Sequence, residues 1–205
     1  MKKNLLALAL VLLGFAGTAQ ATPSASGLII EGTTFATSNA FRFTNTSTAG
    51  EKIVALIWDL TPIGGFFDTT ADAPGFSPSP LTLDGSSSAV GHTFPSDIFL
   101  DGLSILTVNF TSFDVGDTFI FGVDTDFFSA IDATGILGAG FIGATATAVF
   151  DTGAARTGAY TATQLAGFGS EVGIVIPTQV PEPGSLALAG LALAGLASLR
   201  RRSQV

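Results

Sequence analysis

The chain has 205 residues, of which 47% are hydrophobic and only 12% are charged, and its formal net charge is −8. The absence of cysteine excludes disulfides, thiolate nucleophiles, zinc–thiolate sites and iron–sulfur clusters, and the single His92 excludes a multi-histidine metal centre. A formal charge of −8 argues against a nucleic acid partner, because phosphate binding needs clustered Lys and Arg.

The first 21 residues have the pattern of a secretory signal peptide. Two lysines precede an apolar run over residues 5–16, and Ala19 and Ala21 form the small-x-small site at which signal peptidase cuts. The alternatives are a buried N-terminal helix and an uncleaved membrane anchor, but the run is short for a membrane span. We therefore predict export, with cleavage after Ala21.

Residues 22–178 are predicted to form one β-rich ectodomain. Short runs of alternating apolar residues recur between Gly, Asp, Asn and Pro, whereas helix patterns are scarce. These runs predict strands at residues 41–44, 53–58, 103–110, 118–123, 144–150 and 172–176. The expected fold class is all-β, an antiparallel β-sandwich or jelly roll, accompanied by an N-terminal signal helix and a C-terminal transmembrane helix.

Phenylalanine is the main candidate for the core of this domain. Seventeen of the 18 phenylalanines lie in it, and a phenyl ring at alternating strand positions buries a large apolar area. The adjacent pairs Phe66-Phe67 and Phe127-Phe128 are the expected exceptions, because neighbours on a strand point to opposite faces. Residues 62–80, rich in Pro and Gly, predict a long surface loop.

Asp124 and Asp126 are the strongest candidates for metal ligands. On a strand, side chains at i and i+2 lie about 6.6 Å apart on one face. Asp114, Asp117 or Asp132 would complete the hard oxygen ligands that Ca²⁺ prefers, although the spacing does not match an EF-hand loop. The alternatives are aspartates that cap turns and a carboxylate pair of a glycosidase. We assign no catalytic residue, and calcium is the only cofactor considered.

Residues 179–205 carry a second targeting pattern. It consists of the motif Val180-Pro181-Glu182-Pro183, an apolar run over residues 185–199 and the cluster Arg200-Arg201-Arg202. A helix of 15 residues rises about 22 Å against roughly 30 Å of bilayer hydrocarbon, so the run predicts a short or tilted transmembrane helix. The arginines are the expected stop signal on the cytoplasmic side.

This arrangement resembles the PEP-CTERM sorting signal of Gram-negative bacteria. The resemblance implies that exosortase, a membrane cysteine protease, cuts near the Pro-Glu-Pro motif and releases the protein or passes it to a surface acceptor. It also implies bacteria that make exopolysaccharide. Residues 113–126 and 143–153 are similar to ectodomains found on PEP-CTERM proteins, which implies a β fold and no particular activity. The alternative is a permanent single-pass anchor.

The expected function is therefore that of an exported, non-enzymatic surface or matrix protein. Signal peptidase and exosortase are the expected processing partners, and the inner membrane is a transient one. The final location is the cell surface or the extracellular polymer layer, with a link to exopolysaccharide and biofilm. A secreted module that binds glycans or calcium is the alternative, and a secreted hydrolase using Asp124 is a third.

Overall fold

Alternating apolar and polar side chains give an all-β fold with antiparallel sheets, as the sequence predicts. The computed structural model of the protein describes residues 22–71, 77–130 and 134–176. The predicted signal peptide and transmembrane helix, the sorting segment and Asp132 lie outside these residues. The strands are β1 Ser24–Ile30, β2 Phe41–Asn45, β3 Ile53–Asp59, β4 Gly65–Phe67, β5 Thr82–Leu83, β6 His92–Thr93, β7 Ile105–Phe113, β8 Thr118–Gly122, β9 Thr125–Phe127, β10 Thr145–Phe150, β11 Ala155–Ala159, β12 Thr161–Ala162 and β13 Phe168–Val175.

The strands form two large sheets and a two-stranded ribbon. One sheet has the order β12-β13-β1-β2-β8-β5, the other has the order β11-β10-β3-β7-β6, and β4 pairs with β9. A short helix, α1 Asp97–Leu100, and 3₁₀ turns at Thr61–Ile63 and Gly138–Phe141 lie in the connections. All six strands expected from the sequence are confirmed, as β2, β3, β7, β8, β10 and β13. The jelly-roll connectivity stays a prediction.

Aromatic rings from both large sheets interlock in one core. Trp58 of β3 lies edge-on to Phe43 and Phe121 of the other sheet, with ring centroids 5.7 and 5.0 Å away. Phe121 also stacks on Phe41 at 5.0 Å. All four rings are buried, which confirms that aromatic residues at alternating positions form the core. Ala21–Pro177 is thus a compact unit with its own core, the property that lets a domain fold alone.

The expected exposure of Phe66 and Phe67 is wrong, because this part of the predicted surface loop forms β4. Both rings are fully buried. Pairing of β4 with β9 turns Phe67 into the main core and stacks Phe66 on Phe128 at a centroid distance of 4.7 Å. Phe128 itself is 54% exposed, so the second pair does have an exposed member.

The strand register separates the connecting segments into two ends of the domain. Ser24 lies opposite Val175, and the Ile176 N–H donates to the Pro23 carbonyl at 3.0 Å, so the first and last described residues are neighbours. The connections that turn at this end, which we call the terminal end, include 46–52, 114–117 and 151–154. The connections at the opposite end, which we call the far end, include 31–40, 60–64, 94–104 and 134–144.

Tyr160, the only tyrosine of the chain, is buried beside Trp58. The Trp58 Nε1–H donates to the Tyr160 hydroxyl at 3.2 Å. Burial raises the pKa of Tyr160 above its ordinary value because the phenolate would lose its hydration, and the Trp58 hydrogen bond opposes this shift only in part.

We expect no phenolate absorbance from the native protein when the pH passes about 10, where a free tyrosine ionises. The unfolded chain releases this proton first, so the free energy of unfolding falls as the pH rises above about 10. Ultraviolet titration with and without urea checks this, with circular dichroism as the control for folding. A phenolate signal near pH 10 with native circular dichroism would contradict it.

Candidate functional site

Backbone pairing at the far end brings together three segments that are remote in sequence. In the β4–β9 ribbon, Phe66 lies opposite Asp126. Just beyond β4, the Asp68 N–H donates to the Asp124 carbonyl at 3.0 Å, and the Asp124 N–H donates to the Ser79 carbonyl at 3.0 Å. The Ser79 N–H closes the set on the Asp68 carbonyl at 3.2 Å. The backbone therefore fixes Asp68, Asp124 and Asp126 close to one another.

These three residues, which we call the Asp triad, form a buried carboxylate cluster. One oxygen of each side chain lies within 4.8 Å of the oxygens of the other two. Asp68 and Asp124 have no exposed surface, and Asp126 is 1% exposed. Three carboxylate oxygens at this spacing are hard ligands of the kind that Ca²⁺ selects.

Small polar groups surround Asp124. The Thr125 N–H donates to Asp124 Oδ1 at 2.8 Å, and the hydroxyls of Thr125 and Thr34 share a hydrogen bond of 2.8 Å. Gly135 lies against the same carboxylate with a φ of +67°, a conformation that favours glycine, and a Cβ there would come 2.7 Å from Asp124 Oδ1. The absence of a side chain at Gly135 thus leaves room for the carboxylate.

The carboxylates of the Asp triad lie close enough to repel one another when they are ionised. Two ionised carboxylates 4.8 Å apart repel by about 3.5 kcal/mol at an effective dielectric constant of about 20, and burial removes the water that would stabilise them. Two of the three bases among the described residues have contacts elsewhere. Lys52 Nζ lies 2.8 Å from Asp114, and the Arg42 guanidinium lies over the Phe168 ring. The third, Arg156, is exposed on β11. A bound cation would reduce this repulsion.

The structure divides the four aspartates that the sequence proposes as ligands. Asp124 and Asp126 meet in the triad, whereas Asp114 and Asp117 lie in the β7–β8 turn at the terminal end. There the Asp114 N–H donates to Asp117 Oδ2 at 3.0 Å, the turn-capping role that was the alternative. The hydrogen bond and charge of Asp114 raise the pKa of Lys52 above its ordinary value.

Asp68 is the member of the triad that sequence reasoning missed as a ligand. It lies in the stretch predicted as a surface loop, and no short spacing connects it to Asp124. The available signal was the apolar Gly65-Phe66-Phe67 run that precedes Asp68, a short strand pattern among prolines and glycines.

The C-terminal segment of the chain is similar to a known protein family. Residues 179–202 match the PEP-CTERM protein-sorting motif. The chain carries a PEP-CTERM sorting signal. The resemblance expected from the Pro-Glu-Pro motif and the arginine cluster is thus confirmed. No curated protein and no solved structure matches the chain.

The PEP-CTERM signal implies export and processing of the chain as an exosortase substrate. In the chain it follows β13, whose last residue is Val175. Among residues 22–71, 77–130 and 134–176, no helix has the length and apolar character needed to cross a membrane.

Proposed function

We propose that this protein is a non-enzymatic component of the cell surface or extracellular matrix, delivered by signal peptidase and exosortase to an exopolysaccharide or biofilm layer of a Gram-negative bacterium. The observation that carries the proposal is the PEP-CTERM motif at residues 179–202 behind an all-β domain. A short apolar run and terminal arginines suit a transient tether in the inner membrane. The domain then acts as an adhesive or structural element.

Exosortase processing is tested by changing the motif and weighing the mature protein. We expect nearly all of the wild-type protein from culture to lack residues 185–205. In a triple Pro181→Ala, Glu182→Ala, Pro183→Ala variant, the uncleaved fraction of the protein should be at least ten times larger than in the wild type. Intact-mass spectrometry of the secreted and membrane fractions gives the readout. Thr178→Ala, just before the matched residues, is the control and should be processed normally. Retention of residues 185–205 by all of the wild-type protein would contradict the proposal.

Calcium binding is the second candidate function, and the Asp triad favours it. Three buried carboxylates within 4.8 Å offer the oxygen ligands, and the Thr34 and Thr125 hydroxyls lie next to them. A divalent cation would cancel most of the mutual repulsion of the carboxylates. Bound calcium would also cross-link residue 68 to the segment 124–126, which suits a protein that must keep its fold outside the cell.

A secreted hydrolase is the third candidate and has less support. A carboxylate that attacks or protonates a glycosidic bond must touch the substrate. Asp124 has no exposed surface, and its partners in the triad are buried as well. Burial therefore favours a metal-binding or structural role for these side chains over a catalytic one.

A further inference from the structure

The helix α1 holds two large apolar side chains in solvent at the far end. Ile98 is 72% exposed and Phe99 is 77% exposed. Leu103 and Ile105 follow in the same segment and are about half exposed. We call these four side chains the 98–105 patch. Large apolar side chains that are exposed within one short segment are candidates for an interaction site, because soluble proteins rarely expose large apolar patches.

Hydrogen bonds to two acidic residues fix this segment. Asp101 Oδ1 accepts from the backbone N–H groups of Thr69 at 2.8 Å and Thr70 at 3.0 Å. Asp97 Oδ1 accepts from the Leu81 N–H at 3.0 Å. The side chain of Leu100, the last residue of α1, is buried. The exposure of the patch is therefore a property of an anchored helix that turns its apolar side chains outward.

Acidic residues lie beside the 98–105 patch. Asp59 lies directly opposite Ile105 in the β3–β7 pair, and Asp97 and Asp101 flank the exposed residues of α1. The connections 31–40, 60–64, 94–104 and 134–144 contain no Lys, Arg or His. The patch is thus an apolar surface within an acidic field.

We infer that the 98–105 patch is a docking surface for a basic partner protein, one that presents apolar side chains surrounded by Lys and Arg. Charge complementarity selects this partner, because opposite charges steer association and like charges suppress it. An anionic lipid surface would be repelled by the acidic residues around the patch. A second copy docking through the same patch would bring two acidic far ends together.

The test uses a domain of residues 22–177 and an amphipathic peptide of leucine and lysine as the probe. We expect the peptide to bind the wild-type domain, and the double variant Ile98→Ser, Phe99→Ser to bind it at least ten times more weakly. The control Val115→Ser removes an apolar side chain that is 42% exposed at the terminal end and should bind within about twofold of wild type. Fluorescence anisotropy gives the affinities. All of these positions are exposed, so the variants should keep the wild-type melting temperature.

The charge requirement is tested with a leucine–glutamate peptide of the same length, which should not bind. Raising the salt from about 50 to 500 mM should weaken binding of the lysine peptide, because salt screens exposed charges. Equal binding of the lysine peptide to wild type and to the double variant would overturn the inference in favour of general electrostatic attraction. Absence of binding to the wild type would also overturn it. Sedimentation that shows a wild-type dimer lost in the double variant would assign the patch to a second copy instead.

Discussion

Replacement of Phe121 by alanine is expected to lower the free energy of unfolding by about 3–5 kcal/mol. Phe121 is fully buried and lies within 5.1 Å, between ring centroids, of Phe41, Trp58 and Phe119. Its removal leaves a cavity between the two sheets that these rigid rings fill only in part. The loss of contacts and the cavity therefore add together.

The control for this measurement is Phe99→Ala, which deletes the same ring at a position that is 77% exposed. It should change the free energy of unfolding by no more than about 0.5 kcal/mol. Urea unfolding of residues 22–177, followed by Trp58 fluorescence and circular dichroism, gives both values. A loss below about 1 kcal/mol for Phe121→Ala would show that the core repacks, contrary to the interlocked arrangement described above.

Calcium is expected to raise the melting temperature of the domain by about 5–10 °C at a free concentration 100-fold above the dissociation constant. Binding to the folded state alone contributes about 2.7 kcal/mol under that condition, and 1 kcal/mol moves the melting temperature of a domain of this size by about 2–4 °C. Asp126→Asn should abolish the response, because it removes one of the three carboxylates that would hold the cation.

The matched control is Asp117→Asn in the β7–β8 turn, which should keep the full calcium response because the terminal end is remote from the triad. Calorimetric scans in calcium and in chelator give the readout. Identical melting temperatures in millimolar calcium and in chelator would remove calcium from the account.

Alternation of apolar and polar residues in the sequence predicts the strands that carry bulky apolar side chains. Phe41, Trp58 and Phe121 each sit in a run whose apolar residues repeat every second position, so the period reveals the buried face. β1 and β11 lack this signal because Gly, Ala, Ser and Thr make up most of their residues. Their strand conformation comes from pairing with β13 and β10, which a local pattern does not contain.

In the candidate site too, the sequence predicts the part that depends on local spacing and misses the part that depends on tertiary contacts. Asp124 and Asp126 stand two residues apart, so the sequence alone brings them together. Asp68 joins them through the pairing of β4 with β9, a tertiary contact between segments far apart in the chain. Asp114 and Asp117 are as close in sequence as ligands would be, yet turn capping accounts for their spacing.

The pairing of β1 with β13 has a mechanical consequence for a protein held by its C-terminal side. The two strands run antiparallel from Ser24 opposite Val175 to Ile30 opposite Phe168, and the chain leaves at Ile176. Tension between Ile176 and a partner at the far end acts along the length of β13. Hydrogen bonds between antiparallel strands are perpendicular to that direction, so the load shears them together rather than opening them one after another. The lifetime of the domain under tension is then set by the rate at which the whole β1–β13 pair separates.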